Sequence, residues 1–204
     1  MSHPNEPRSL RSMDAVARRR AMLDLSHMST LCDFTAELRE EDRGAVPDFD
    51  PMDAGVRAKV LFLMEKPGPM TDDTALAGRT GSGFISRDND DPTAEAIFRF
   101  MTEAGFRRED TLLWNTIPWW NGTRAITPGE LEEGVGRLDH LIDYLPNLKA
   151  VVGVGARAKK ARKKVEERGL PFILSAHPSP INRASRPTVW SAIPHQWAGA
   201  FKYL

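Results

Sequence analysis

Two short stretches, Val60-Leu61-Phe62-Leu63-Met64 and Ala150-Val151-Val152-Gly153-Val154, carry no polar side chain at any position. A strand with one wet face alternates apolar and polar residues. An unbroken apolar run of this length marks a strand covered on both faces, as in parallel sheets sandwiched by helices. Residues 111–117 and 171–174 read as two more buried strands. Helical patterns lie between them. Asp91-Pro92 opens one, with Asp as cap and Pro in the first turn; Ile97, Phe98 and Met101 form its buried stripe and Gly105 ends it. Thr127-Pro128-Gly129-Glu130 is a capping box, after which Leu131, Val135, Leu138 and Ile142 line one face. Residues 156–168 read as a lysine- and arginine-rich helix, and residues 189–204 as a helix carrying Trp190, Trp197 and Phe201, broken near its start by Pro194.

Four strands alternating with helices pair in parallel through right-handed crossovers. The expected fold class is α/β: a three-layer α/β/α sandwich around a four-stranded parallel sheet. Residues 1–55 read as an N-terminal helical extension and linker, and residues 56–204 as the α/β domain. In the extension, residues 11–25 and 29–41 read as helices, the second with Leu31, Phe34 and Leu38 inward. Residues 42–53 carry Gly44, Pro47 and Pro51 and read as a linker.

Charge and composition exclude several classes. The 28 basic residues balance the 28 acidic ones, so no global positive field draws the chain to nucleic acid, although a local patch remains open. The single cysteine, Cys32, rules out an internal disulfide and any cysteine-built zinc or iron–sulfur site. No apolar run spans a bilayer and the N-terminus lacks a signal-peptide core, so no membrane partner is expected and a cytoplasmic location is.

In open parallel sheets ligands bind outside the carboxyl ends of the strands. The exits of the first, second and fourth strands would gather Glu65-Lys66-Pro67, Asn115 and His177 along one edge. The turn Ser175-Ala176-His177-Pro178-Ser179-Pro180 is stiffened by its prolines. It reads either as a structural turn with a satisfied histidine or as a site presenting a catalyst. The glycine-rich segment 78–87 has no lysine in phosphate-loop register, and its Phe84 fits either a core or a ligand platform. Trp119 and Trp120 suggest one packed and one exposed ring, and the basic run 159–164 a solvated helix face.

These patches together resemble the uracil-DNA glycosylase superfamily. Met64-Glu65-Lys66-Pro67-Gly68-Pro69, Asn115 and His177-Pro178-Ser179-Pro180 carry the likeness, with lesser matches at Phe84 and at residues 151–156, in the expected order from about residue 60 to residue 184. The Glu-x-Pro-Gly turn is most similar to the branch that binds an iron–sulfur cluster. That branch's cysteines are missing here, so neither a cluster nor any other cofactor or metal is expected.

The resemblance implies hydrolysis of the N-glycosidic bond of uracil, or a related deaminated base, in DNA. His177 would donate to the uracil O2, and Glu65 would position the water. Phe84 would stack on the flipped base and Asn115 would read its edge, with Pro67, Gly68 and Lys66 closing the pocket. Asp72 or Asp73 could substitute as the water-holding group. Ser179, Pro180, Arg183 and Arg186 would meet the DNA backbone, and Ile181 or Asn182 would fill the vacated stack. The expected partner is DNA containing a damaged base, bound by a monomer. Met64, where the family has glycine, and Lys66 motivate an alternative: a member that binds DNA or a nucleobase without excision. The zero net charge motivates a third: a hydrolase of free nucleosides.

Overall fold

The computed structural model describes residues 6–73 and 80–204; Gly78 and Arg79 of the glycine-rich segment lie outside them. Six strands occur among the described residues: β1 Asp48–Phe49, β2 Val60–Met64, β3 Phe84–Ile85, β4 Thr111–Asn115, β5 Ala150–Val154 and β6 Phe172–Ser175. Four of them form a parallel sheet in the order β4-β2-β5-β6, flanked by helices. Every residue of β2, β4 and β5 is buried, which is why none of these strands alternates. The fourth strand departs from expectation. β6 is an edge strand, so Ile173 is half-buried and Leu174 exposed, while Phe172 and Ser175 stay buried.

Among the described residues nine α-helices accompany the strands: α1 Met13–Arg20, α2 Ser29–Glu40, α3 Pro92–Glu103, α4 Pro128–Gly136, α5 Leu138–Asp143, α6 Arg162–Glu167, α7 Pro180–Ser185, α8 Pro187–Ser191 and α9 Ile193–Ala198. Asp91 caps α3 by accepting from the Thr93 and Ala94 amides, and Gly105 follows its end at φ +85°. Its buried face runs through Ile97, Phe100 and Met101, whereas Phe98 is only half-buried. The helix expected to run from Thr127 through Ile142 breaks at Arg137 into α4 and α5. Glycines at 134 and 136 weaken the helix there. Gly134 is also needed for packing: a Cβ there would sit 2.3 Å from the Thr116 carbonyl oxygen. Residues 156–168 start as a 3-10 turn, Ala158–Ala161, before α6. The C-terminal segment divides into α8, α9 and a 3-10 turn, Gly199–Tyr203. Pro194 sits in the first turn of α9 and so starts that helix.

The N-terminal helices share the core of the sheet. Met28, Leu31, Phe34 and Leu38 join the same hydrophobic cluster as β2, β4 and β5. The Phe49 ring stacks on Trp114 with centroids 3.8 Å apart, and Phe34 packs against both. The segment 42–53 is therefore no loose linker. Its β1 pairs with β3, and Asp50 and Asp53 are buried among Arg19, Arg87, Asp88 and Arg108. A polar-looking stretch is held inside because every carboxylate meets a guanidinium.

Candidate active site

Strand register places the candidate residues. Met64 at the end of β2 lies opposite Asn115 at the end of β4, and Val154 opposite Ser175. The chain crosses from β2 to β4 on one side and then to β5 on the other, so the sheet's switch point lies between β2 and β5. A cleft of about 690 Å³ opens at these exits. Glu65, Asn115 and His177 all line it, as do Lys66, Pro67, Gly68, Ser179, Pro180, Ile181, Asn182 and Arg186. The imidazole and the carboxamide thus share one surface.

Asn115 is 4% exposed, and among the described residues its carboxamide has no hydrogen-bond partner. Its polar atoms open onto the cleft and are free to bond what enters it. His177 also has no ring partner among the described residues. Its turn is braced from outside. The Asn182 Nδ2 donates to the His177 carbonyl at 2.8 Å, and the Ala176 amide donates to Gln196 Oε1 at 3.0 Å. Burial pushes the His177 pKa below its ordinary 6.5, against the opposing pull of the Glu65 and Asp91 charges, so the ring is neutral at pH 7.

Glu65 accepts from the Arg157 amide at 2.8 Å through Oε1. Gly155 makes room for it: the residue has φ +100°, and a Cβ there would lie 2.5 Å from that same oxygen. The glycine after β5 is thereby tied to the carboxylate after β2.

Other expected roles are corrected. Phe84 does not reach the cleft. It is fully buried with Leu10 and Val16, under the Arg20 guanidinium 5.8 Å from its ring centre. The strand period of two explains this, because its neighbour Ile85 faces the cleft instead. Lys66 contributes backbone to the cleft, but its ammonium is spoken for. It donates to Glu130 Oε1 at 2.7 Å, Asn121 Oδ1 at 2.8 Å and the Ala125 carbonyl at 3.1 Å. That occupies Glu130, so the capping box is half formed: the Thr127 hydroxyl accepts from the Glu130 amide, while the Glu130 carboxylate takes Lys66 and the Trp119 indole. Neither Asp72 nor Asp73 lines the cleft, and Asp73 pairs with Arg20.

Trp119 and Trp120 are both buried. Asn182 is used in bracing His177, which leaves Ile181, 77% exposed, as the free apolar side chain of that turn. Arg183 lies over the Trp190 ring and does not line the cleft; Arg186 does. Sequence reasoning missed two residues. Asp91 was read only as a helix cap, yet it lies in the cleft and its charge bears on His177. Arg124 lines the cleft from an irregular segment that no periodic signal marks.

A comparison with curated proteins gave no match. The sequence model of the family described as the Uracil DNA glycosylase superfamily matches residues 52–195, which include all four strands of the parallel sheet and every one of these cleft residues. With the match covering more than half of the chain and the three strand-exit patches converging on one cleft, the protein belongs to the uracil-DNA glycosylase superfamily.

Proposed function

We propose that this protein is a monofunctional DNA glycosylase that hydrolyses the N-glycosidic bond of uracil, or of a related deaminated base, in DNA. Superfamily membership supports DNA glycosylase activity in general. The observation that carries the finer reading is the pair of partnerless groups, the Asn115 carboxamide and the His177 ring, facing one cleft. Uracil presents an acceptor at O2, a donor at N3 and an acceptor at O4. A carboxamide matches the last two by accepting from N3–H and donating to O4. Cytosine reverses that pattern and would leave Asn115 unpaired, which discriminates strongly.

The bond from the sugar C1′ to the base breaks with its electron pair leaving on the base. A neutral His177 donating to O2 stabilises that anion, an effect on the order of 100- to 1000-fold in rate. Glu65, held by the Arg157 amide, orients the water whose oxygen attacks C1′, and its negative charge favours the cation-like sugar. The base is reached only after leaving the stack, and Ile181 stands free to fill the gap. Ser179, Pro180, Arg183 and Arg186 lie at or beside the same rim and suit phosphate contact. Lys66, buried and bonded to three acceptors, is not available as a nucleophile, so no strand cleavage accompanies base release.

One observation favours a second reading, binding without excision. Among the described residues no phenylalanine, tyrosine or tryptophan lines the cleft; Met64, Ile85, Ile97 and Leu113 supply its apolar wall instead. An assay on oligonucleotides with uracil, hypoxanthine or xanthine, single- and double-stranded, followed by alkali, separates the two. Alkali-revealed cleavage in the wild type and in Lys163→Ala, lost in His177→Ala, is expected. Tight binding with no abasic product selects the second reading.

A further inference from the structure

We infer that Arg124 is a phosphate-holding residue for the DNA strand that delivers the base, and that the buried Lys66–Glu130 pair is the latch that positions it. The inference rests on the glycosylase reading above but concerns how DNA is held, not how the bond breaks.

Two arginines line the cleft, Arg124 and Arg186, and both are exposed. They enter from opposite ends. Arg124 follows β4 and Arg186 follows β6, and these are the two edge strands of the sheet. Their exits are three strand spacings apart, roughly 14 Å. The carboxylates of the cleft, Glu65 and Asp91, come from β2 and the start of α3. Negative charge at the reacting centre and positive charge at both rims suits a nucleotide whose sugar turns cationic while its flanking phosphates stay outside.

The chain's zero net charge does not oppose this. Most basic side chains are neutralised in ion pairs, but among the described residues Arg124 and Arg186 at the cleft, and Arg183 beside it, have no carboxylate within ion-pair distance. All three follow β4 or β6, the two edge strands. A balanced chain thus still offers unpaired cations at the cleft.

A phosphate contact on an irregular segment is useful only if the segment is fixed. Lys66 does this from the residue next to Glu65. Its side chain is 4% exposed, and it bonds Asn121 and the Ala125 carbonyl on either side of Arg124 and Glu130 beyond it. Asn121 Nδ2 donates to the same Glu130 oxygen at 3.2 Å, and the Ala125 amide donates to Thr123 Oγ1 at 3.2 Å. The turn carrying the water-holding carboxylate and the segment carrying Arg124 therefore move as one piece.

The test is the salt dependence of binding to a fluorescent duplex carrying thymine in place of uracil, read by anisotropy, together with kcat and KM on the uracil duplex. Losing one phosphate contact lowers the slope of log K against log salt by about 0.9. Arg124→Ala is expected to show that loss with a raised KM and an unchanged kcat, and Lys163→Ala to show none. Lys66→Met is expected to reproduce the slope change, to speed tryptic cleavage at Arg124, and to leave nothing further for Arg124→Ala to remove in the double variant. Glu130→Gln serves as the second latch variant should Lys66→Met fail to fold. An unchanged slope in Arg124→Ala, or additive losses in the double variant, overturns the inference. A wild type that releases no base yet loses slope in Arg124→Ala leaves the inference standing and removes the catalytic reading. Active wild type with no slope change does the reverse, and a wild type with no salt dependence removes both.

Discussion

The charged groups around Asp50 and the polar groups at the strand exits differ in how far they are spent on the protein. In the first region Arg19, Arg87 and Arg108 pair with Asp50, Asp53 and Asp88, with Ser86 and Thr111 beside them and Asp53 Oδ2, Arg87 Nε and Arg108 Nε left unbonded among the described residues. These pairs tie α1, the segment before β2, the residues after β3 and the approach to β4 into one unit. In the second, Asn115 and His177 are left without protein partners. Paired charges hold a fold together, whereas polar groups left open at a cleft are available to a ligand. Ser86 joins the two regions: its hydroxyl donates to Asp50, and the residue itself lines the cleft.

The largest effect should come from breaking these ion pairs. Arg108→Met leaves Asp50, Asp53 and Asp88 short of a partner and should destabilise the fold by about 3–5 kcal/mol, seen as a lower urea midpoint. A loss below about 1 kcal/mol would show that the network is not what binds the N-terminal helices. His177→Ala should do the opposite. Single-turnover base release should fall by roughly 100- to 1000-fold while the urea midpoint stays put. If both quantities fall together, His177 belongs with the structural region.

Acidity separates the regions further. Burial outweighs Arg87 and Arg108 at Asp53 and raises its carboxyl to about 6, and its Oδ2 has no partner among the described residues. This group binds its proton more tightly folded than unfolded. Its contribution is therefore full below the unfolded value of 3.8 and is lost as pH rises through about 6. Asp53→Asn should flatten the fall in stability between about pH 4 and pH 7 by on the order of 2 kcal/mol. Parallel curves for the two proteins would refute this. At Asp50 burial is overridden by Arg108 and Arg19, which hold it at about 2, so its stabilisation persists above 3.8 and fails only in strong acid.

His177 titrates in the cleft, and in the proposed mechanism its neutral ring is the working form. The acid limb of kcat/KM should therefore fall below the ordinary 6.5, and His177→Gln should remove that limb from the residual rate. Smallest of all, Lys163→Ala breaks an exposed i,i+4 pair of 3.7 Å on α6 and should cost no more than about 0.5 kcal/mol, with base release unchanged.

Much of this architecture was legible in the chain. Unbroken apolar runs marked two of the three fully buried strands, β2 and β5, because a strand covered on both faces has no reason to alternate. The strand exits then named Glu65, Asn115 and His177, since residues at those ends share an edge wherever the sheet is parallel. The errors fall where side-chain direction or partner choice matters. Phe84 turned inward because one step along a strand reverses the face. Lys66 turned away because an acid 64 residues on was close enough to take it. Asn182 was diverted to a backbone carbonyl, and Asp50 and Asp53 were hidden in what read as a linker.

By itself, then, the order of residues determined the layers, the strand set and which polar residues would crowd one edge. These follow from periodicity and turn chemistry, which are local. Only the folded molecule decided which of those residues are spent on the protein and which are left for a ligand. That choice depends on partners brought together from distant parts of the chain, and no local pattern records which of several charges will be nearest.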